Sequence, residues 1–299
     1  MIRRSRSTDA EVAMPCAVRG SLSTEGGLGS GELGLDARDR HNEDRLRGIA
    51  GVLTAAGREC SFQTRVCFLF APLLAILGLV GLRLALVNWW GIDAVVVQLG
   101  FWIVWLLWLG WIFPRSRRRY MHHNPDTAYR RALRGHILFL FAAITTINTA
   151  PAHAGAVAFL RTGQWSSFGV FSIGSFLLAA VIAAAGAGVI VVAIRTIGLP
   201  AAAFAEEYRT CPPPHTVGGI YRYIRHPIAV GGMIMPAAAA LHGGLALTLW
   251  LVNLAMLVPY GLLEDHRLRR VFGSANDTYM SGVRRFLPVP ATVKSARGR

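Results

Sequence analysis

The sequence predicts an all-α fold: a polytopic membrane bundle of about five to six transmembrane segments, closed by a C-terminal helical hairpin and an amphipathic tail. Three observations predict it. Hydrophobic residues make up 53% of the chain and mean hydropathy is +0.42, too apolar for an ordinary soluble domain. Those residues are gathered in six runs, most of them close to the roughly 20 residues that a hydrocarbon core of about 30 Å requires. The basic residues, finally, fall almost wholly on alternate sides of the runs.

Residues 1–60 are rich in Ser, Gly, Arg and acids, and "STEGGLGSGELG" (23–34) reads as a flexible linker. Within them, "DARDRHNEDRLRGIAGVL" (36–53) admits a short charged helix, but a disordered cytoplasmic tail is the favoured reading of 1–60. No early apolar run marks a secretory signal. A four-segment region, 61–194, follows. Its first span covers about 66–87. The second, about 94–113, is rich in aromatic rings, among them Trp102, Trp105, Trp108 and Trp111. The third, about 136–160, carries the polar run "TTINT", read as hydrogen-bonded packing. The fourth, about 170–194, places Ala180, Ala184 and Gly188 four residues apart, a spacing that lets helices approach closely in lipid. Residues 195–290 form the last region, with a short fifth segment (228–241) and a sixth (about 245–263), and 291–299 is a basic tail.

The formal net charge is +15. In a soluble chain that excess would suggest nucleic acid. Here it reads as topology, and no nucleic-acid partner is expected. With residues 1–65 inside, 29 of the 31 Lys and Arg residues are inside too, leaving Arg83 and Arg161 on the other face. The short loop 114–135, "PRSRRRYMHHNPDTAYRRALRG", supports this orientation by itself. The expectation is an integral membrane protein, in a bacterial inner membrane, with both termini cytoplasmic. Cys16, Cys60, Cys67 and Cys211 are scattered without a CxxC pair, so neither a disulfide framework nor a metal site is expected. His122, His123 and His136, in or beside the basic loop, read as headgroup contacts rather than metal ligands.

Chemistry concentrates at "GGIYRYIRHPIAVGG" (218–232) and "EDHRLRRVF" (264–272). The fifth segment has 14 residues, about 21 Å of helix, so 219–263 reads as a hairpin turning at "HGG" (242–244). His226 stands 17 residues before Gly243 and Glu264 stands 21 after it. The four-residue difference is about 6 Å, so Arg225-His226 and Glu264-Asp265 should meet at one end. Pro227 suits the first turn of a helix, whose free N–H groups favour an anion. Arg225 can grip a carboxylate bidentately. Gly219 and Gly231 allow close approach of backbone to a ligand. "FAEEYRTCPPPHTVGG" brings Glu206, Glu207 and His215 ahead of the motif; a surface loop is the favoured reading, the edge of an acceptor entrance the other.

These motifs resemble the membrane methyltransferases that include isoprenylcysteine carboxyl methyltransferase and phospholipid N-methyltransferases. That family's pattern, G-x-Y-x-x-x-R-H-P-x-Y-x-G, a hairpin, E-E-x-x-L, then F-G-x-x-Y-x-x-Y and a terminal Pro, is matched by Gly219, Tyr221, Arg225, His226, Pro227, Gly231, Glu264, Leu268, Phe272, Gly273, Tyr279 and Pro288. The resemblance covers about 195–290. It departs at Ala229, where the family has tyrosine, at Asp265 for the second acid, and at Asn276 for an aromatic. It implies an S-adenosylmethionine-dependent methyltransferase acting on a lipophilic or small-molecule methyl acceptor at the bilayer. Arg225 and Glu264 would be the catalytic pair, and Gly219, Tyr221, Arg225, His226, Pro227, Gly231, Glu264 and Asp265 the cofactor contacts, without a metal. Leu268, Val271 and Phe272 would form the apolar face of a tail helix lying on the membrane over the cofactor. Two other readings stay open. One is an NADPH-dependent membrane reductase of the sterol type, which also carries R-H-P. The other is a non-enzymatic membrane protein with a degenerate site.

Overall fold

The computed structural model describes residues 48–59, 61–154, 173–209, 218–241 and 243–288. Among these residues the fold is helical throughout, and five helices are long and apolar enough to cross a membrane. They are α2 (Phe62–Asn88), α3 (Ala94–His123), α4 (Pro125–His153), α5 (Ile173–Ile197) and α8 (Gly244–Phe272). Shorter pieces are α1 (Ile49–Ala55), α6 (Leu199–Ala202), α7 (Pro227–Ala240) and α9 (Ser274–Gly282). Leu73, Leu74 and Leu77 on α2, Phe176 and Val181 on α5, and Val258 and Leu262 on α8 are exposed. Apolar surface of that extent belongs in lipid, and the protein is an integral membrane protein.

Local chemistry starts most of these helices. Ser61 caps α2 by accepting from the Thr64 N–H at 3.2 Å. Asp93 caps α3, accepting from Val95 and Val96. The basic stretch 114–135, expected as a loop, is instead helical on both sides of Asn124. Asn124 accepts from the Thr127 N–H at 3.2 Å, and Pro125 opens α4. Two i→i+5 turns, Trp108–Ile112 and Leu133–Ile137, widen α3 and α4 at about the level where they leave the apolar layer. His136 sits inside this hairpin against Trp108 and Tyr120, so it is a packing residue and not a headgroup contact.

Helices α5 and α7 pack most closely, and small residues explain it. A side chain at Gly231 would meet the Gly186 carbonyl oxygen and the Ile190 Cγ1, both at 2.7 Å. The contact face of α5 is therefore Ala179, Gly186, Ile190 and Ala193. The expected stripe of Ala180, Ala184 and Gly188 is exposed instead, on a different face of the helix from the contact residues. α7 and α8 form the expected hairpin, pinned by the Trp250 indole donating to the Met233 carbonyl at 2.9 Å. α8 runs unbroken to Phe272, so residues 264–272 extend a transmembrane helix instead of forming a separate one on the surface.

Within 1–60, expected to be disordered or weakly ordered, α1 is a packed helix: Val52 and Leu53 are buried in the bundle, and Arg130 donates to the carbonyls of Ala56 and Gly57. Residues 1–47 lie outside the described residues, as do His215, the 291–299 tail, Cys60 and Cys211.

Candidate functional site

A cavity of about 460 Å³ opens between α3, α4, α5, α7 and α8. Its wall divides by chemistry. Trp102, Leu140, Ile144, Ile190, Met233 and Leu257 form one side, deep in the bundle. Arg225, His226, Glu206, Glu207, Glu264 and Arg267 gather at the end where the basic segments meet. Leu268 and Phe272, from the extension of α8, close part of that end.

Two charged groups build the polar end. In the first, Asp265 is the hub. Arg225 Nη1 donates to its Oδ2 at 2.8 Å, Arg285 Nε to the same oxygen at 2.5 Å, and His226 Nε2 meets Oδ1 at 2.9 Å. An ionised carboxylate only accepts, so Nε2 carries the proton and Nδ1 is the nitrogen left for other work. One carboxylate thus faces two guanidinium groups and an imidazole, and the cluster keeps net positive charge. Burial pulls the Arg225 pKa below its ordinary value, with Asp265 opposing that shift. Arg225 Nε is buried and has no hydrogen-bond partner.

Backbone geometry holds this cluster in place. Pro227 begins α7, and Ile224 pairs with Arg284 in an isolated parallel bridge. The N–H groups of Arg225 and His226 donate to the carbonyls of Arg284 and Arg285 at 2.9 and 3.1 Å. Phe286 packs beneath, against Gly261 and the His226 ring. Gly273, with φ +64°, reverses the chain after α8 and starts α9, from which the Tyr279 hydroxyl donates to the Tyr221 carbonyl at 2.8 Å. Burial raises the pKa of both tyrosines, so each stays a neutral hydroxyl.

In the second group Arg267 is the hub. Its Nε donates to Glu264 Oε2 at 2.9 Å, its Nη2 grips the other Glu264 oxygen, and its Nη1 pairs with Glu207. Its guanidinium lies 4.7 Å from the centre of the Phe204 ring. Phe204 has φ +62°, a left-handed conformation that costs a non-glycine residue about 1–2 kcal/mol. That turn sends Glu206 and Glu207 inward. Arg117 Nε, from α3, donates to the Glu207 carbonyl at 2.5 Å, and the Tyr129 hydroxyl to the Ala203 carbonyl at 3.1 Å. Burial raises the Glu206 pKa.

The structure thus brings Arg225, His226, Glu264 and Asp265 to one end of the bundle. Tyr221, Arg225, His226, Pro227 and Glu264 line the cavity. Asp265, Gly219 and Gly231 do not: Asp265 braces Arg225 and His226 from behind the wall, Gly231 admits the backbone of α5, and Gly219, with φ +55°, lies against Thr196. Glu207, expected on a surface loop, is buried. Arg267 and Arg117 escaped sequence reasoning, although Arg267 stands one helical turn after Glu264, where an ion pair is common. Ala229 lines the cavity, so the absent tyrosine leaves its space to the site.

The residues fit the expected nucleoside. An orphaned Arg225 Nε and the first N–H groups of α7, which no intrahelical carbonyl reaches, suit a carboxylate. Glu264 and Tyr221 stand across the same space for an ammonium or hydroxyl groups. No protein-family model matches the chain, and neither the search of curated proteins nor that of solved structures gave a match.

Proposed function

We propose that the protein is a membrane-embedded methyltransferase that uses S-adenosylmethionine and acts on a lipophilic or small-molecule acceptor. The observation that carries this reading is one cavity that has both a charged end and an apolar end. A water-soluble zwitterion suits the first, and an acceptor drawn from the bilayer suits the second. The sequence motif resembling membrane methyltransferases falls on residues of the charged end. On this reading that end faces the cytoplasm, with both termini there, in a bacterial inner membrane.

The cofactor would supply a methyl group on a sulfonium, already activated for displacement. The chain's task is then to position and to keep water out. Arg225 and the α7 amides bind the carboxylate. Glu264, oriented by Arg267, accepts from the ammonium or ribose. His226, with Nε2 committed to Asp265, can take a proton at Nδ1 from an acceptor that has one to lose. Trp102, Ile144 and Met233 shield the reacting atoms from water.

Calorimetry on the purified protein tests this. Arg225→Gln and Glu264→Gln should each weaken S-adenosylmethionine binding about tenfold or more, the cost of a lost charge-assisted bond. Normal binding by both variants would overturn the site. Binding of NADPH in place of S-adenosylmethionine would turn the reading to the reductase, and binding of neither to a non-enzymatic role. Mass spectrometry of membrane extracts given methyl-labelled cofactor identifies the acceptor by the species that gains the label.

A further inference from the structure

A second polar cluster lies in the opposite half of the bundle. Arg83, on α2, is 1% exposed. Its Nη1 donates to Gln98 Oε1 at 2.6 Å. Gln98 in turn donates to Asn253 Oδ1 at 2.5 Å and to the Ile147 carbonyl at 3.0 Å, and the Trp102 indole donates to the same Asn253 oxygen at 2.8 Å. The amides satisfy one another, but none carries charge. Among the described residues no carboxylate pairs with Arg83. Asp93, at the same end of the bundle, is exposed and spends its side chain capping α3.

Arg83 Nε and Nη2 are buried with no hydrogen-bond partner. These two nitrogens share one edge of the guanidinium. It is the edge with which Arg267 grips both oxygens of Glu264. An unpaired guanidinium held among apolar helices costs several kcal/mol, and the usual remedy is an anion. His153 lies close enough to interact electrostatically with Arg83, and its Nδ1 is also buried and unpartnered. Arg83 stands five residues, about 8 Å, from the end of α2, a depth at which the oxygens of an amphiphile whose tail lies in the hydrocarbon layer can reach it.

We infer that the Nε–Nη2 edge of Arg83 is the seat of an oxyanion binding site, for a phosphate or carboxylate group, in the half of the membrane opposite the candidate active site. The ligand supplies the charge that the chain withholds, through two parallel N–H···O bonds. The cluster reaches the main cavity through Trp102, which lines both, so an anion at Arg83 bears on the apolar wall of that cavity.

The test uses the full-length protein in a neutral detergent, with thermal unfolding and native mass spectrometry as readouts. Dodecyl phosphate, dodecanoate, inorganic phosphate and the uncharged dodecanol are the probes. Dodecyl phosphate or dodecanoate should raise the melting temperature and remain bound, while dodecanol does neither. Arg83→Gln should weaken that binding about tenfold or more, and Arg83→Lys, a point charge without the fork, by less. Protection by inorganic phosphate alone would identify a soluble oxyanion as the source; protection by the chain-bearing probes alone, a lipid headgroup or fatty acid. The effect should persist in Arg225→Gln. Equal responses of the unaltered protein to dodecanol and dodecyl phosphate overturn the inference even if Arg83→Gln does not fold. Full affinity in Arg83→Gln, or loss in Arg225→Gln alone, overturns it as well.

Discussion

At the basic end of the bundle, Arg225, Arg267 and Arg285 each reach a carboxylate, whereas in the far half Arg83 reaches an amide. The first arrangement is assembled from distant stretches: Glu207, the R-H-P turn, α8 and the segment after α9 all contribute. The second is assembled as widely, from α2, α3, α4 and α8, yet leaves its charge open. A low-dielectric interior punishes unpaired charge wherever it lies. One region therefore solves the problem within the chain, and the other leaves it to something outside.

The sharpest way to break this contrast is to remove a hub. Arg267→Met removes the cation that Glu264 and Glu207 share, and Asp265→Ala leaves two guanidinium groups and the His226 Nε2–H without their acceptor. Each should cost about 3–5 kcal/mol, seen as a large fall in melting temperature. Asn253→Leu in the far half removes a neutral hub instead. It leaves the Trp102 N–H and the Gln98 amide short of an acceptor and should cost about 1–3 kcal/mol. Gly231→Ala pushes a methyl group into the backbone of α5 and should cost about 1–3 kcal/mol. Arg83→Met abandons no buried carboxylate and removes a buried charge that the chain leaves unpaired, so with no anion added it should cost at most about 1 kcal/mol, the loss of one bond to Gln98. A penalty as large as that of Arg267→Met would erase the distinction between the two regions.

The smallest effect sharpens the comparison by pH. Burial lifts the Glu206 pKa in the folded chain, so the fold holds that proton more tightly than the unfolded chain does. Stability falls as pH climbs from the unfolded value through the raised one, and the cost persists above it. Glu206→Gln should therefore melt slightly higher than the unaltered protein at pH 8, with the gap closing by about pH 4.

The hairpin was legible because helix rise is fixed: counting from Gly243 places His226 and Glu264 at one level, and the structure joins His226 to Asp265 there. Spans were legible for the same reason that lipid selects them. Helix ends were not. Hydropathy marks where lipid stops, and α3 and α4 run on as basic helices to Asn124, although Asn124-Pro125 is itself a start signal. The misplaced α5 stripe reflects many small residues in a row, several of which fit the spacing. Glu207 was obscured because a left-handed Phe204 aims it inward, a conformation to which no residue type points. Arg83 read as a charge left on the outer face, and its sequence neighbours give no sign of the Gln98–Asn253 chain that buries it.

The two carbonyls that receive the N–H groups of Arg225 and His226 belong to Arg284 and Arg285, about sixty positions later in translation. A chain that ends between Phe272 and Arg284 holds all five long helices and still lacks the strut under its own R-H-P turn. A product ending in that window would keep its spans with the charged end unbraced, so an ordered R-H-P turn would report that synthesis had passed Arg285.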